Sequence, residues 1–376
     1  ARQTGGLAPL RMVMPAGNDN LAQTQAQISL PRSDAESLSW RLPPGDYSVS
    51  YLEIWMPNFL SKEALFGVAP HLRLTLPDGT QIDPPPLAVG QQVNLLSADG
   101  GDVVGRLFCD LQDRQDSSDT SSGRVRLLLA LNPTAARDPQ TPTIPAGAWA
   151  LDLSLTTKMP DAVHVTLDLC IQRDDTLGIG PDRGVPSYFE APGYRVFDDA
   201  GRVIDTDGER DLSPSAVRRR GTLNARATSV TTCRVGAYRA QDGRMAPYSS
   251  SGFGPMHHAA MSQLLVDGPH VSAAGDHSLA LGGVMAAGTR SGSVVSLSGT
   301  SMASAQIARE VAKALKGRHP TRDPESNLGT PGAIENIAQV AIRERRFSTP
   351  ALKPDKTGAG RVPFTPLPGY KDRGGL

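Results

Sequence analysis

The sequence predicts an α/β domain, a parallel sheet with helices, that is interrupted by an all-β sandwich of jelly-roll type. Three observations predict it. Apolar and polar residues alternate with a period of two between Ile28 and Ile171, with no convincing helical pattern in that stretch. Helical periodicity is confined to the C-terminal part, over Ser301–Lys316 and again from Thr330. Near the other end, the unalternating run Met12-Val13-Met14 before Ala16-Gly17-Asn18 has the character of a buried parallel strand running into a tight turn. Insertion of one domain into another is the simplest account of this order, because the termini of compact domains often lie close together.

The elements follow in chain order. After the first strand, polar Gln-rich sequence gives way to the alternating block. Leu72, Leu74 and Leu76 alternate with polar neighbours, as do Val125, Leu127, Leu129 and Leu131. Trp149, Leu151, Leu153 and Leu155 follow the same rule, and so do Val163, Val165, Leu167, Leu169 and Ile171. Such strands bury one face and solvate the other, as sandwich sheets do. Turn residues separate them at Pro43-Pro44-Gly45-Asp46, Pro77-Asp78-Gly79, Asp99-Gly100-Gly101 and Pro145-Ala146-Gly147. About eight strands in two sheets are expected from this spacing. The weakly periodic Asp-, Gly- and Arg-rich stretch 173–226 reads as a connector. Short apolar pieces return at Val230–Tyr238, Pro269–Ala274 and Val284–Ala287. In the first helix Ile307, Val311, Ala314 and Leu315 form one stripe, with Gly317 at the C-terminal cap. A second helix opens at Thr330-Pro331. The expected division is therefore 1–20 with 227–376 as one domain, 21–172 as the inserted sandwich and 173–226 as connector.

Composition narrows the functions. The 376 residues suffice for two cores. Lys and Arg number 38 against 38 Asp and Glu, a balance that argues against coating nucleic acid or an anionic membrane. No apolar run approaches the roughly 18 residues of a membrane-spanning helix. Cys109, Cys170 and Cys233 are odd in number and widely spaced, a poor disulfide framework and a poor zinc site.

The chemistry concentrates in Ser298-Gly299-Thr300-Ser301-Met302-Ala303-Ser304, at the start of the first helix. A serine there has backbone N–H groups and the positive end of the helix dipole beside its hydroxyl, where acyl transfer develops negative charge. Such a serine also reads simply as a helix N-cap. Gly299 leaves room for a substrate backbone.

These residues resemble the nucleophile motif of the subtilisin-like serine proteases, and further matches fall in that family's chain order. Val13-Met14-Pro15-Ala16-Gly17-Asn18 is similar to the segment whose asparagine completes the oxyanion hole. Val235-Gly236-Ala237-Tyr238 and Tyr248–Pro255 resemble the strand and loop that follow it, Val271–Gly275 the loop before the nucleophile, and Gly358–Val362 the closing segment. The resemblance covers about 1–20 and 227–365. It implies Ser301 as nucleophile, Asn18 with the Ser301 N–H as oxyanion hole, Gly299 and Thr300 on the substrate side, and a polypeptide as substrate.

Two departures stand out. Ala305-Gln306 occupies the place where the family usually has Pro-His. More importantly, the family places its catalytic Asp and His upstream of the oxyanion Asn, and neither residue type occurs among the seventeen residues before Asn18. All seven histidines (71, 164, 257, 258, 270, 277 and 319) follow it. Since the chain opens on Ala1 and not Met, the expectation is the C-terminal part of a longer protease, its Asp and His supplied by upstream or separate sequence. A pseudoprotease scaffold is the alternative, and recruitment of His257 or His277 the third reading. The insertion begins directly after the oxyanion segment, as in clostridial germination-type subtilases with a jelly-roll insertion, and would clamp the protease domain or gate its substrates. The resemblance implies an extracytoplasmic setting, although no targeting segment is visible.

No cofactor is expected. Asp205-Thr206-Asp207-Gly208-Glu209 has part of a calcium-loop pattern but lacks the full ligand ladder, and reads as an acidic turn. His164, Asp168 and Cys170 read as a solvated strand face, Arg218-Arg219-Arg220 as a solvated connector, and Gly178, Gly180 and Gly184 miss the dinucleotide spacing.

Overall fold

A computed structural model describes residues 12–30, 38–57, 70–97, 100–112, 124–155, 165–172, 184–201, 203–204, 215–227, 232–252, 268–278, 282–316, 354–358 and 360–363. In chain order the strands are β1 (Met12–Pro15), β2 (Gln25–Leu30), β3 (Ser39–Leu42), β4 (Ser50–Trp55), β5 (Pro70–Thr75) and β6 (Gln81–Ile82). They continue as β7 (Gln92–Leu96), β8 (Val103–Gln112), β9 (Arg124–Leu131), β10 (Gly147–Leu155), β11 (Val165–Gln172), β12 (Tyr188–Glu190) and β13 (Val217–Arg218). After a short 3-10 turn come β14 (Thr232–Arg239), β15 (Val271–Asp276), β16 (Val284–Ala287) and β17 (Val294–Leu297), then helix α1 (Thr300–Lys316) and the single turn α2 (Pro354–Thr357). The chain divides into two compact units, one made of 1–21 and 220–376, the other of 22–219.

The 22–219 unit holds two antiparallel sheets, of order β12-β3-β10-β5-β6 and β13-β2-β11-β4-β9-β8-β7. Alternation places one side of every long strand inside. Ile28, Leu52, Leu127, Leu129 and Leu167 of one sheet share a single core with Trp40, Leu72, Trp149 and Leu151 of the other. Trp149 lies opposite Trp40 across β10 and β3. Both rings are fully buried, and the Trp149 indole N–H donates to Pro145 O at 2.9 Å. The polar faces carry ion pairs. On β9, Arg124 meets Asp168 at 2.9 Å, while Arg126 meets Glu53 at 2.9 Å and Asp110 at 2.7 Å, and both guanidiniums pack on Trp55.

Two expectations need correction here. The stretch expected to be a connector supplies edge strands β12 and β13, paired to β3 and β2, so the unit runs to Arg219 and holds twelve strands among the described residues. Their brevity explains why no period was visible. Arg219 is not solvated: it is buried, stacks on Tyr194, and donates to the carbonyls of Ile204 at 2.7 Å and Arg195 at 2.5 Å.

The other unit is built on a three-stranded parallel sheet of order β1-β14-β15, against which α1 packs through Ala303, Ile307 and Val311. All eight residues of β14 are buried, as expected of a central parallel strand. β1 is less buried than its apolar run suggested, with Met12 40% exposed. β16 and β17 form a separate antiparallel hairpin between β15 and α1. In this ribbon Met285 on β16 and Val294, Val295 and Leu297 on β17 are exposed. Gly317, the side chains of Ala314 and Leu315, and the helix expected from Thr330 lie outside the described residues. No helix among the described residues is long and apolar enough to cross a membrane.

Candidate active site

Parallel pairing of β1 with β14 and of β14 with β15 carries the ends of β1 and β15 to the same edge of the sheet. Asn18 follows β1, and the turn Ser298–Ser301 opens α1. The structure joins them. Thr300 donates twice to Asn18 Oδ1, from its backbone N–H at 2.9 Å and from its hydroxyl at 3.0 Å. The same hydroxyl oxygen accepts the Gly17 N–H at 3.2 Å. Residues some 280 positions apart in sequence are therefore fastened by three bonds around one threonine side chain, itself fully buried.

The first turn of a helix has N–H groups with no intrahelical acceptor. Here the Thr300 N–H is taken by Asn18, while those of Met302 and Ala303 point at Gly299 O, at 3.1 and 3.5 Å. Among the described residues nothing accepts from the Ser301 N–H, nor from Asn18 Nδ2. Both residues are exposed. Two unclaimed donors thus flank an exposed serine hydroxyl at the positive end of a 17-residue helix.

Gly299 is required by this geometry. Its φ is 141°, outside what side-chain-bearing residues adopt readily, and an added Cβ would lie 3.3 Å from Asn18 Nδ2. Its N–H donates to Gly275 O at 2.9 Å, tying the turn to the end of β15. One step before, Ala274 O accepts from the Gln306 side chain. Gln306, where the family usually has histidine, fastens the helix to the strand, and its amide also reaches Met302 O at 3.3 Å.

Thr300 differs from its expected place on the substrate side. Its side chain is wholly enclosed and orients Asn18 instead. A polar residue inside a Gly-Thr-Ser turn signalled the interaction, but only the fold shows which partner it takes. Tyr248, whose phenol donates to Gly275 O at 3.0 Å, had no sequence signal beyond membership of a matching segment.

No carboxylate or imidazole hydrogen-bonds the Ser301 hydroxyl among the described residues. His270 serves another purpose, accepting the Arg234 N–H at Nδ1 at 3.0 Å, with its pKa lowered to about 4 by burial and then by the Arg234 charge. His277 follows β15, and among the described residues its Nδ1 has no partner. His164, His257 and the turn Asp205–Glu209 lie outside the described residues. Asp168 is engaged by Gln27 at 2.8 Å and Arg124, and no cluster of metal-ligating residues occurs among the described residues.

The subtilase family's sequence profile matches residues 209–351, which include Ser301. No curated protein matches the sequence. Among solved structures, the CspB protease of Clostridium perfringens aligns with a TM-score of 0.61 at 15% identity, over 94% of this chain and 59% of that one. At such identity the likeness is one of fold, and the chain spans about three fifths of that protease's length. Sequence over 209–351 and fold over most of the chain meet on one identification: this chain is similar to the subtilisin-like proteases.

Proposed function

We propose that this chain is the part of a subtilisin-like serine endopeptidase that carries the nucleophile and the oxyanion hole. Ser301 Oγ attacks the scissile carbonyl of a polypeptide, and the oxyanion is received by Asn18 Nδ2 and the Ser301 N–H. The carrying observation is the way Thr300 occupies Asn18 Oδ1 with both its donors, which commits the asparagine's acceptor and leaves its N–H₂ for an anion. No cofactor enters the step in this reading.

A serine hydroxyl is a weak nucleophile without a base. In this reading a histidine, oriented by an aspartate, comes from polypeptide outside this sequence. It takes the Oγ proton as the O–C bond forms and returns it to the departing amine, and water then repeats the cycle on the acyl-enzyme. The unengaged Ser301 hydroxyl and the three-fifths coverage of the clostridial protease support this arrangement. The same unengaged hydroxyl favours the second reading, a catalytically silent scaffold.

The 22–219 unit is read as a jelly-roll insertion. Strands alternate between its sheets so that β2, β11, β4 and β9 lie side by side in one and β3, β10, β5 and β6 in the other, the order that two nested Greek keys produce.

A fluorophosphonate probe tests the reading, applied to the chain alone and to the full-length protein with its upstream polypeptide. Labelling of Ser301 in the latter, abolished by Ser301→Ala, is the expected result. Absence of labelling in both would favour the scaffold.

A further inference from the structure

Tyr248 touches both halves of the candidate oxyanion hole. Through its backbone it holds the Asn18 side: Tyr248 O accepts the Asn20 N–H at 3.2 Å. Two residues on, the Ser250 N–H donates to Gly17 O at 3.0 Å, and Ser250 Oγ accepts the Asp19 N–H at 3.1 Å. Through its side chain it holds the Ser301 side: the phenol donates to Gly275 O at 3.0 Å. That carbonyl is also the acceptor of the Gly299 N–H.

Gly275 transmits this placement without slack. A Cβ there would stand 2.5 Å from Ala237 Cβ and 2.6 Å from Gly299 O, so strand end and turn are in direct backbone contact. Burial first, then the charge of Asp276, raises the phenol's pKa well above the ordinary tyrosine range, which keeps the hydroxyl a donor at all working pH values.

We infer that Tyr248 is a positioning residue that sets the spacing between Asn18 and the Ser301 turn. Its backbone fixes one donor of the pair, and its hydroxyl, through Gly275 O, fixes the other. The assignment of the spaced groups as an oxyanion hole rests on the proposed function, whereas the spacing itself does not.

Tyr248→Phe removes one oxygen and keeps the ring. In the full chain, hydrogen exchange followed by mass spectrometry should show the Gly299, Thr300 and Met302 amides exchanging about five- to tenfold faster, the factor that corresponds to one hydrogen bond of ordinary net strength. Exchange in the 22–219 unit should be unchanged. Equal exchange of the Gly299, Thr300 and Met302 amides in wild type and variant would overturn the inference, whatever the chemistry of Ser301. A fall in exchange protection spread evenly over the whole 1–21 and 220–376 unit would also overturn it, by showing general loosening. Gln306→Met provides a second check from the helix side, since it releases Ala274 O and leaves Gly275 O held: there the exchange gain at Gly299 should be smaller than in Tyr248→Phe, and a larger gain would count against the assignment. In full-length protein that labels with fluorophosphonate, Tyr248→Phe should lower the maximal labelling rate about fivefold or more with little change in probe affinity. If Ser301 never labels, the protease reading fails while the exchange result still decides the spacing role.

Discussion

Replacing Thr300 by valine isolates the bond that holds the candidate site together. Valine keeps the volume and the β-branch, so no cavity forms at this fully buried position. What disappears is the hydroxyl, which donates to Asn18 Oδ1 at 3.0 Å and accepts from Gly17 N–H at 3.2 Å. Asn18 Oδ1 retains the Thr300 N–H at 2.9 Å and so keeps one partner. The Gly17 N–H, in a buried residue, loses its acceptor. One lost hydrogen bond at about 1 kcal/mol, plus a stranded buried donor at about 1–3 kcal/mol, gives a loss of about 2–4 kcal/mol. For a unit of this size, at about 2–4 °C per kcal/mol, that corresponds to about 4–16 °C in melting temperature. Scanning calorimetry of wild type, Thr300→Val and Thr300→Ser measures it. The serine variant restores the hydroxyl and should recover most of the loss. Equal melting of Thr300→Val and wild type, or a serine variant as damaged as the valine one, would refute the reasoning.

Acid should weaken the 1–21 and 220–376 unit through His270. Its folded pKa is about 4, below the ordinary value near 6.5, so between those values the unfolded chain binds the extra proton. The stabilisation is complete above pH 6.5 and disappears as pH falls to 4, by about 2 kcal/mol after allowance for partial exposure. His270→Gln should flatten that part of a stability-against-pH curve measured by denaturant titration. The thiols of Cys109 and Cys233, pushed up to about 11, and of Cys170, pushed up to about 12, owe their shifts first to burial. At pH 8 the folded protein should therefore react with a thiol-specific disulfide reagent at least tenfold more slowly than free cysteine, and release three equivalents on denaturation.

The second unit was legible in the sequence because a half-buried strand writes its burial into a period of two. Leu127, Leu129 and Leu131 alternate in the text, and they face one core in the fold. Helix α1 declared itself in the same way through Ile307 and Val311. Edge strands of two and three residues, β13 and β12, have no room for a period, and the stretch that contains them looked irregular. The short apolar piece Val284–Ala287 carries no period that states its burial, and tertiary packing leaves Met285 and all of β17 exposed.

By itself the sequence determined the residue types available for chemistry: a serine and an asparagine in motif segments at opposite ends of the chain, and no histidine or aspartate ahead of the asparagine. Only the tertiary structure decided how they are held. A parallel sheet brings distant strand ends to one edge, and the partners met there, Thr300 for Asn18 and Tyr248 for Gly275, follow from three-dimensional proximity that no local pattern encodes. Periodicity records which side of an element is buried, whereas hydrogen bonds across about 280 residues depend on the closure of the whole sheet.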